Sequence, residues 1–275
     1  MSSIRLGLIG DNIAASRAPD LHRAAGRLCG LEVTYDLLVP KNLGLGFDRV
    51  FDRARDEGYR GLNITYPYKE AAVRRLDTRD ESVRLTGACN TVLFEPSGPA
   101  GFNTDYSGFR SAFRNTLVTS DPGVVALAGC GGVGRAISFA LTQLGAKAVN
   151  LFDADRARAE ALAKALSADV ADVKISVAES IYHACDGADG LVNCTPLGMV
   201  GYGGSVFPAE VISGRRWAFD AVYTPVETPF LRNALATGLS VMSGYELFFW
   251  QGVDAFRIFT SGEVDCSALR EALQS

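Results

Sequence analysis

The stretch Val124-Val125-Ala126-Leu127-Ala128-Gly129-Cys130-Gly131-Gly132-Val133-Gly134-Arg135-Ala136 decides the fold class. Five apolar residues in a row read as a strand buried on both faces, as strands of parallel sheets are. The run stops at glycine and passes through G-x-G-x-x-G into sequence that suits a helix. Glycine there permits a tight bend, close approach of backbone to a pyrophosphate, and close packing of helix on strand. The helix start offers unpaired N–H groups and the positive end of its dipole to an anion. Gly129, Gly131, Gly132, Val133 and Gly134 are therefore candidate cofactor-binding positions. On the residues alone a tight structural turn is the other reading.

Outward from this turn, residues 148–152 form the next strand, which ends at Asp153, 19 positions after Gly134. That is close to the ~20 expected for an acidic residue that takes the ribose hydroxyls. A carboxylate there suits NAD and repels a 2′-phosphate. Arg156 and Arg158 could instead reach a 2′-phosphate, which keeps NADP open. Their other reading is as solvated helix charges near Asp155 and Glu160. Residues 133–144 and 155–167 carry helical patterns, and 191–193 and 217–222 read as strands. Upstream, strands at 4–10, 33–39 and 61–65 alternate with helices at 19–28, 47–58 and 70–76. A hairpin turn follows at 93–99 and a helix at 107–117. Beyond 245 an apolar, aromatic stretch reads as a buried helix, followed by a short one at 266–273. Strands alternating with helices predict an α/β fold with parallel sheets.

At 275 residues the chain exceeds the ~100–200 of a single domain, so two domains are expected. With 48% hydrophobic and 21% charged residues it has material for real cores and is not a disordered chain. A net charge of −4 argues against nucleic acid as a partner. No apolar run reaches the ~18–20 residues of a membrane span. The start, Met1-Ser2-Ser3-Ile4-Arg5, enters a strand-like run without the layout of a secretion signal. Six scattered cysteines without C-x-x-C suggest neither a zinc site nor a disulfide framework, and point to a reducing, cytoplasmic setting. Only His22 and His183 are present, so a histidine-dependent triad or multi-histidine metal site is not expected and no metal is assigned. His22 reads as helix packing and His183 as exposed.

Acid–base chemistry then falls to Lys, Asp, Glu or Tyr. Lys69 is one of five lysines against 22 arginines, and it lies in Asn63-Ile64-Thr65-Tyr66-Pro67-Tyr68-Lys69, where a strand ends. A titratable amine at such a place can remove a hydroxyl proton during hydride transfer and return it in the reverse direction. A surface lysine at a helix start is the other reading. Gly101-Phe102-Asn103-Thr104-Asp105 supplies a carboxylate that could orient amine and hydroxyl, or simply N-cap a helix before Tyr106. The aromatics Phe248, Phe249, Trp250, Phe256 and Phe259 read as core, and Gln251 among them needs hydrogen bonds if it is buried. Cys130 and Cys194 read as small space-filling residues.

Together these segments resemble the shikimate/quinate dehydrogenase family over nearly the whole chain. Ser16-Arg17-Ala18-Pro19 with His22 is similar to that family's carboxylate-binding loop. Asn63-Ile64-Thr65-x-Pro67-x-Lys69 resembles its catalytic lysine motif. Further matches are Gly87-Ala88-Cys89-Asn90-Thr91, Asn103-Thr104-Asp105, the glycine-rich turn, and Asn193-Cys194-Thr195-Pro196-Leu197-Gly198-Met199. Asp220-x-x-Tyr223-x-Pro225-x-x-Thr228 and the segment from Gly244 to Gln251 complete the set.

The resemblance implies roles. Lys69 and Asp105 would be the catalytic pair. Ser16, Thr65, Asn90, Tyr223 and Gln251 would bind a cyclic polyol carboxylate. Gly129, Gly131, Gly132, Val133, Gly134, Asp153, Arg158, Thr195 and Gly244 would hold the cofactor. It also implies a Rossmann-type dinucleotide domain over 107–243. A substrate domain with a mostly parallel sheet would span 1–106, completed by 244–275, with an active-site cleft between the two. Two departures matter. Ala18 replaces a serine of the carboxylate loop, and Phe152-Asp153-Ala154 replaces the family's NADP-reading Asn-Arg-Thr. Both point to the NAD-dependent quinate/shikimate branch. The alternatives are an NADP-dependent biosynthetic shikimate dehydrogenase, a dehydrogenase of aminoshikimate or a related ring acid, and a non-catalytic NAD(H) sensor. The expected partner is the small-molecule substrate, with no membrane association, and the chain a monomer or homodimer.

Overall fold

The computed structural model describes residues 3–117 and 119–274. The chain divides into two compact units, Met1–Thr104 with Gln251–Ser275, and Asp105–Trp250.

The first unit opens with β1 (Ser3–Ile9), α1 (Ala18–Leu28), β2 (Glu32–Leu38), α2 (Pro40–Leu43), α3 (Phe47–Asp56) and β3 (Gly61–Ile64). It continues with α4 (Lys69–Val73), β4 (Thr78–Arg79), α5 (Glu81–Thr86), β5 (Thr91–Glu95) and β6 (Gly98–Phe102). Helix α6 (Thr104–Thr116) carries the chain onward. The six strands form one sheet in the order β2-β1-β3-β5-β6-β4. Strands β1, β2 and β3 run parallel, while β5 lies antiparallel to both β3 and β6.

Phe47, Val50, Phe51 and Ala54 recur at helical spacing along α3 and cover one face of this sheet with Ile9, Leu62, Ile64 and Val92. A second cluster gathers α1 and the C-terminal segment. His22 of α1 is buried, stacked on Tyr35 with ring centroids 5.1 Å apart, and lies beside Phe256 and Phe259. The guanidinium of Arg17 donates to the carbonyl of Leu273 at 2.8 Å.

The second unit continues with β7 (Val124–Ala128), α7 (Gly132–Gln143), β8 (Ala148–Phe152), α8 (Arg156–Asp169), β9 (Lys174–Val177) and α9 (Ile181–Cys185). Then come β10 (Gly190–Asn193), α10 (Ala209–Ile212), β11 (Trp217–Asp220), α11 (Pro229–Ala236) and β12 (Ser240–Met242). Helix α12 (Gly244–Thr260) leads back into the first unit, and α13 (Cys266–Gln274) ends the described chain. All pairings in this sheet are parallel, in the order β12-β11-β10-β7-β8-β9. Renumbered from its own first strand and read from the β9 edge, that is 3-2-1-4-5-6, the doubly wound dinucleotide-binding order. The period-2 alternation of β11 shows how its faces are covered. Trp217 and Phe219 point to Phe113 and Phe109 of α6 in edge-on ring contacts, and Ala218 joins Phe207 and Phe230 on the other side.

Three short strands carry no clear sequence signal. Strands β9 and β12 are the edges of their sheet and β4 is one edge of the other, so exposed or half-exposed residues replace the apolar runs of central strands. Helix α6 starts three residues before the expected 107, which puts Asp105 inside its first turn instead of at a cap before Tyr106.

The buried His22 ring makes acid stability testable. Burial pushes its pKa down to about 3, against ~6.5 in an unfolded chain. Below pH ~6.5 the unfolded state therefore binds more protons, and stability falls as pH drops toward 3. Urea unfolding at pH 7, 6 and 5 should show this decline in the parent. It should be shallower in His22→Leu, by up to ~1.4 kcal/mol per pH unit. Parallel pH slopes for the two proteins would contradict the assignment.

Candidate functional site

In the first unit, strand directions bring the predicted polar residues to one edge of the sheet. The C-terminal ends of β1 and β3 lie side by side, and Asn63 of β3 pairs with Thr91 at the start of antiparallel β5. Thr91 in turn pairs with Phe102 at the end of β6. The segments at 10–18, 65–69, 89–91 and 103–104 therefore emerge on the same side. The first two are tied together. Thr65 donates its N–H to Ile9, Asp11 donates its own to Tyr66, and the Tyr68 hydroxyl donates to the Asp11 carboxylate at 2.7 Å. Ser16 accepts the Ala18 N–H on its hydroxyl oxygen at 3.3 Å, which leaves the hydroxyl proton for an external acceptor.

Asn90, buried at the centre of this edge, is the hub. Its side-chain oxygen accepts from the Thr104 N–H at 2.7 Å and from the hydroxyls of Thr104 and Thr91 at 3.2 and 3.1 Å. Three donors on one oxygen fix the amide orientation and turn its NH2 end away as a donor. The Thr104 N–H is the first orphan donor of α6, so this helix is capped by a residue remote in sequence. That is why the local cap candidate, Asp105, places the start too late. Next to Asn90, the Cys89 N–H donates to the carbonyl of Lys69 at 2.9 Å. Lys69 is half-buried as the first residue of α4, and Asp105 is buried next to Thr104. The Thr104 hydroxyl also lies 3.4 Å from the carbonyl oxygen of the Gln251 side chain.

Two further residues, Asn63 and Asn103, shape this edge without a role that their local sequence marks. Asn63 sits between Leu62 and Ile64 in a wholly buried strand. It accepts from the Tyr35 hydroxyl at 2.9 Å and donates to the Thr91 hydroxyl at 3.1 Å and the Asn90 carbonyl at 3.4 Å. Asn103 donates its N–H to the Ser82 hydroxyl and its side chain to Thr86 and Ala88, locking the chain just ahead of α6. A polar residue inside an apolar strand was the signal available for Asn63.

In the second unit the glycine-rich turn follows β7 and the Asn193–Met199 segment follows β10. These are neighbouring strands where the strand order reverses, the position at which open α/β sheets bind ligands. Gly129 has φ +95°, and a Cβ there would strike the Cys194 backbone, while one at Gly134 would strike the Gly129 carbonyl. A Cβ on Gly131 or Gly132 would meet nothing within 4 Å, and no side chain caps α7. The turn thus presents an open cradle of N–H groups, which fits a dinucleotide pyrophosphate. Asp153 accepts the Cys130 N–H at 2.7 Å on one oxygen and the Asp155 N–H at 2.9 Å on the other, so its carboxylate is held against the turn. Arg156 pairs with Glu160 at 2.8 Å and Arg158 with Asp155 at 3.3 Å, both exposed.

Thr195 belongs to a small network. Its N–H and hydroxyl donate to the Asn193 side-chain oxygen at 2.9 and 2.7 Å, and Asn193 donates to the Asp220 carboxylate at 3.0 Å. Burial pushes the Asp220 carboxyl up to about 6, against the downward pull of its donors Thr228, Val222 and Asn193. Tyr223 is partly exposed and stacked on Phe248 with centroids 5.6 Å apart. A Cβ on Gly244 would strike the carbonyls of Ala221 and Val222. Burial raises the Cys130 thiol to about 12 and pushes that of Cys194 well above its ordinary value, so neither offers a thiolate. Among the described residues no three histidine, cysteine or acidic side chains gather as a metal site, and no helix is long and apolar enough to cross a membrane.

Residues 8–92 match the family described as the shikimate dehydrogenase substrate binding domain. Over 99% of its length the chain is 37% identical to a quinate/shikimate dehydrogenase (NAD(+)) of Corynebacterium efficiens, of which the match covers 98%. It is 40% identical to a shikimate dehydrogenase (NADP(+)) of Streptomyces avermitilis, over 96% of this chain and 92% of the other. Among solved structures, the quinate dehydrogenase from Corynebacterium glutamicum in complex with NAD superposes with a TM-score of 0.93. It has 36% identity and covers 100% of this chain and 99% of that one.

The buried polar edge is open to a direct test of stability. Asn63→Leu leaves the Tyr35 hydroxyl without its acceptor and the Thr91 hydroxyl without a donor. At ~1–3 kcal/mol for each buried group left unpaired, it should lower unfolding free energy by about 2–4 kcal/mol. Urea unfolding at pH 7 measures this, and a loss under 1 kcal/mol would mean that the network is slack.

Proposed function

The chain belongs to the shikimate/quinate dehydrogenase family, and on that premise we propose that it transfers a hydride between NAD and the C3 ring hydroxyl of quinate or shikimate. The products of oxidation are 3-dehydroquinate and 3-dehydroshikimate. The observation that carries the catalytic assignment is the Asn90 hub, whose hydrogen bonds and those of adjacent Cys89 hold both Lys69 and the start of the helix that bears Asp105.

In the oxidative direction, Lys69 takes the ring hydroxyl proton as the carbon–hydrogen bond breaks, and gives it back in reduction. Asp105 orients the amine and the hydroxyl. Ser16 donates its hydroxyl to the substrate carboxylate, and Asn90 donates its amide to a ring oxygen, as their internal hydrogen bonds leave them able to do. Thr65, Tyr223 and Gln251 complete the set that recognises a cyclic polyol acid. Ala18 contributes no side-chain donor and leaves room beside C1, where quinate carries a hydroxyl that shikimate lacks.

Bound NAD supplies the hydride acceptor. The Gly129–Gly134 turn would hold the pyrophosphate on the N–H groups of Gly131 to Gly134, and Thr195 and Gly244 would hold the nicotinamide end. Asp153 has lone pairs left on both oxygens for two ribose hydroxyls, and its charge opposes a 2′-phosphate. The pairing of Arg156 and Arg158 with acidic neighbours supports the same preference. We assign Arg158 to the rim of the adenosine side. A reducing, cytoplasmic setting suits the six unpaired cysteines.

Initial rates with quinate and shikimate, each with NAD and with NADP, test the reading. NAD should be the better cofactor, and a tenfold or greater preference for NADP with shikimate would replace it with the biosynthetic type. Lys69→Ala should lower kcat by ~10²–10⁴ with a smaller change in KM. A loss confined to KM would deny it the role of base. Asp153→Ala should lower kcat/KM for NAD by about 10- to 100-fold, because hydrogen bonds to a charged group contribute ~1.5–3 kcal/mol. NADP rates should hold or rise, and an equal loss with both cofactors would leave the cofactor preference without this explanation.

A further inference from the structure

Asp220 is a fully buried carboxylate that the reaction above does not use. It ends β11, and neutral donors surround it. Val222 gives its N–H to Oδ1 at 3.0 Å, Thr228 gives its hydroxyl to Oδ2 at 2.6 Å, and Asn193 gives its amide to Oδ1 at 3.0 Å. A buried charge without a cation is costly, and burial raises this carboxyl accordingly. A fold that only needed to fill the space would do better with an apolar residue there.

The first two donors anchor the carboxylate. Val222 lies two residues on and closes a local turn, and Thr228 is itself held as the cap of α11, accepting the Leu231 N–H at 3.2 Å. The third donor leads outward. With its amide nitrogen drawn to Asp220 and to the Leu197 carbonyl at 3.1 Å, Asn193 must turn its oxygen to Thr195. That oxygen takes both the N–H and the hydroxyl proton of Thr195, whose Oγ1 then accepts the Leu197 N–H at 3.2 Å. Reversing the Asn193 amide would set an NH2 group against the Thr195 N–H. The orientation of one amide therefore decides the shape of the 193–197 segment.

We propose that Asp220 is a positioning residue for cofactor binding, which acts through the Asn193 amide to hold the Thr195 segment in its NAD-receiving shape. The proposal rests on the reading of the Asp105–Trp250 unit as the NAD-holding one. Asp220→Asn keeps an acceptor for Asn193 and Val222 and turns its NH2 to Thr228, so it preserves the arm. Asp220→Ala removes it, and Asn193→Ala cuts the same arm one link further on.

The test is calorimetric titration of NAD into the full-length parent and the three variants, beside steady-state KM for quinate. Asp220→Ala and Asn193→Ala should weaken NAD binding tenfold or more, with KM for quinate within threefold of the parent. Asp220→Asn should bind NAD within threefold of the parent. Parent-like NAD affinity in either alanine variant overturns the proposal, as does an equal weakening of NAD and quinate. If Asp220→Ala fails to fold, Asn193→Ala decides alone by the same criteria. Failure of the parent itself to bind NAD is a different result, because it removes the underlying reading of the unit.

Discussion

A single side-chain oxygen organises the chemistry-bearing edge of the first unit. The Asn90 carboxamide caps α6 from outside that helix, and two buried hydroxyls share the same acceptor. An unsatisfied N–H at a buried helix start costs about as much as a lost hydrogen bond. The cap therefore fixes where α6 begins and, with it, the place of Asp105 in the first turn. Cys89 fixes the Lys69 backbone from the neighbouring position. Strand β5, antiparallel to β3 and β6, makes this possible by delivering its first residues to the edge where those two strands end.

The second unit solves a similar problem with carboxylates. Asp153 ties the end of β8 to the glycine-rich turn, and Asp220 ties the end of β11 to the segment after β10. Both stand at C-terminal strand ends, where loops would otherwise be held only by their own backbone. Each accepts from neutral N–H, amide or hydroxyl donors, so the positions of these loops depend on hydrogen bonds and not on ion pairs. A net acidic chain that binds anionic ligands must do so by such local donor arrays, because its overall field works against them.

Legibility followed burial and locality. Strands β7 and β8 could be read directly because parallel central strands are apolar on both faces. Gly129 and Gly134 of the turn could be read because close backbone approach excludes a Cβ at both. His22 was legible as packing and His183 as an exposed residue, and both are so placed. The short edge strands β4, β9 and β12 were not, since pairing through exposed or half-exposed residues needs no distinctive pattern. The start of α6 is not legible locally because its cap lies 14 residues away in sequence. Asn63 and Asp220 were visible as polar residues in apolar strands, but their partners were not, as hydrogen-bond partners across a sheet leave no trace in local spacing.

By itself, then, the sequence determined the α/β class, the dinucleotide turn with its acidic strand end, and the residue types able to do hydride chemistry in a chain with two histidines. Those are matters of local periodicity, steric exclusion and composition, which each segment carries within itself. Only the tertiary structure decided which amide faces which oxygen: that Asn90 turns its acceptor inward, that Asp153 is held to the turn, and that Asn193 is oriented by Asp220. Hydrogen-bond direction at a buried group is set by all its neighbours at once, and those neighbours come from strands far apart in the chain.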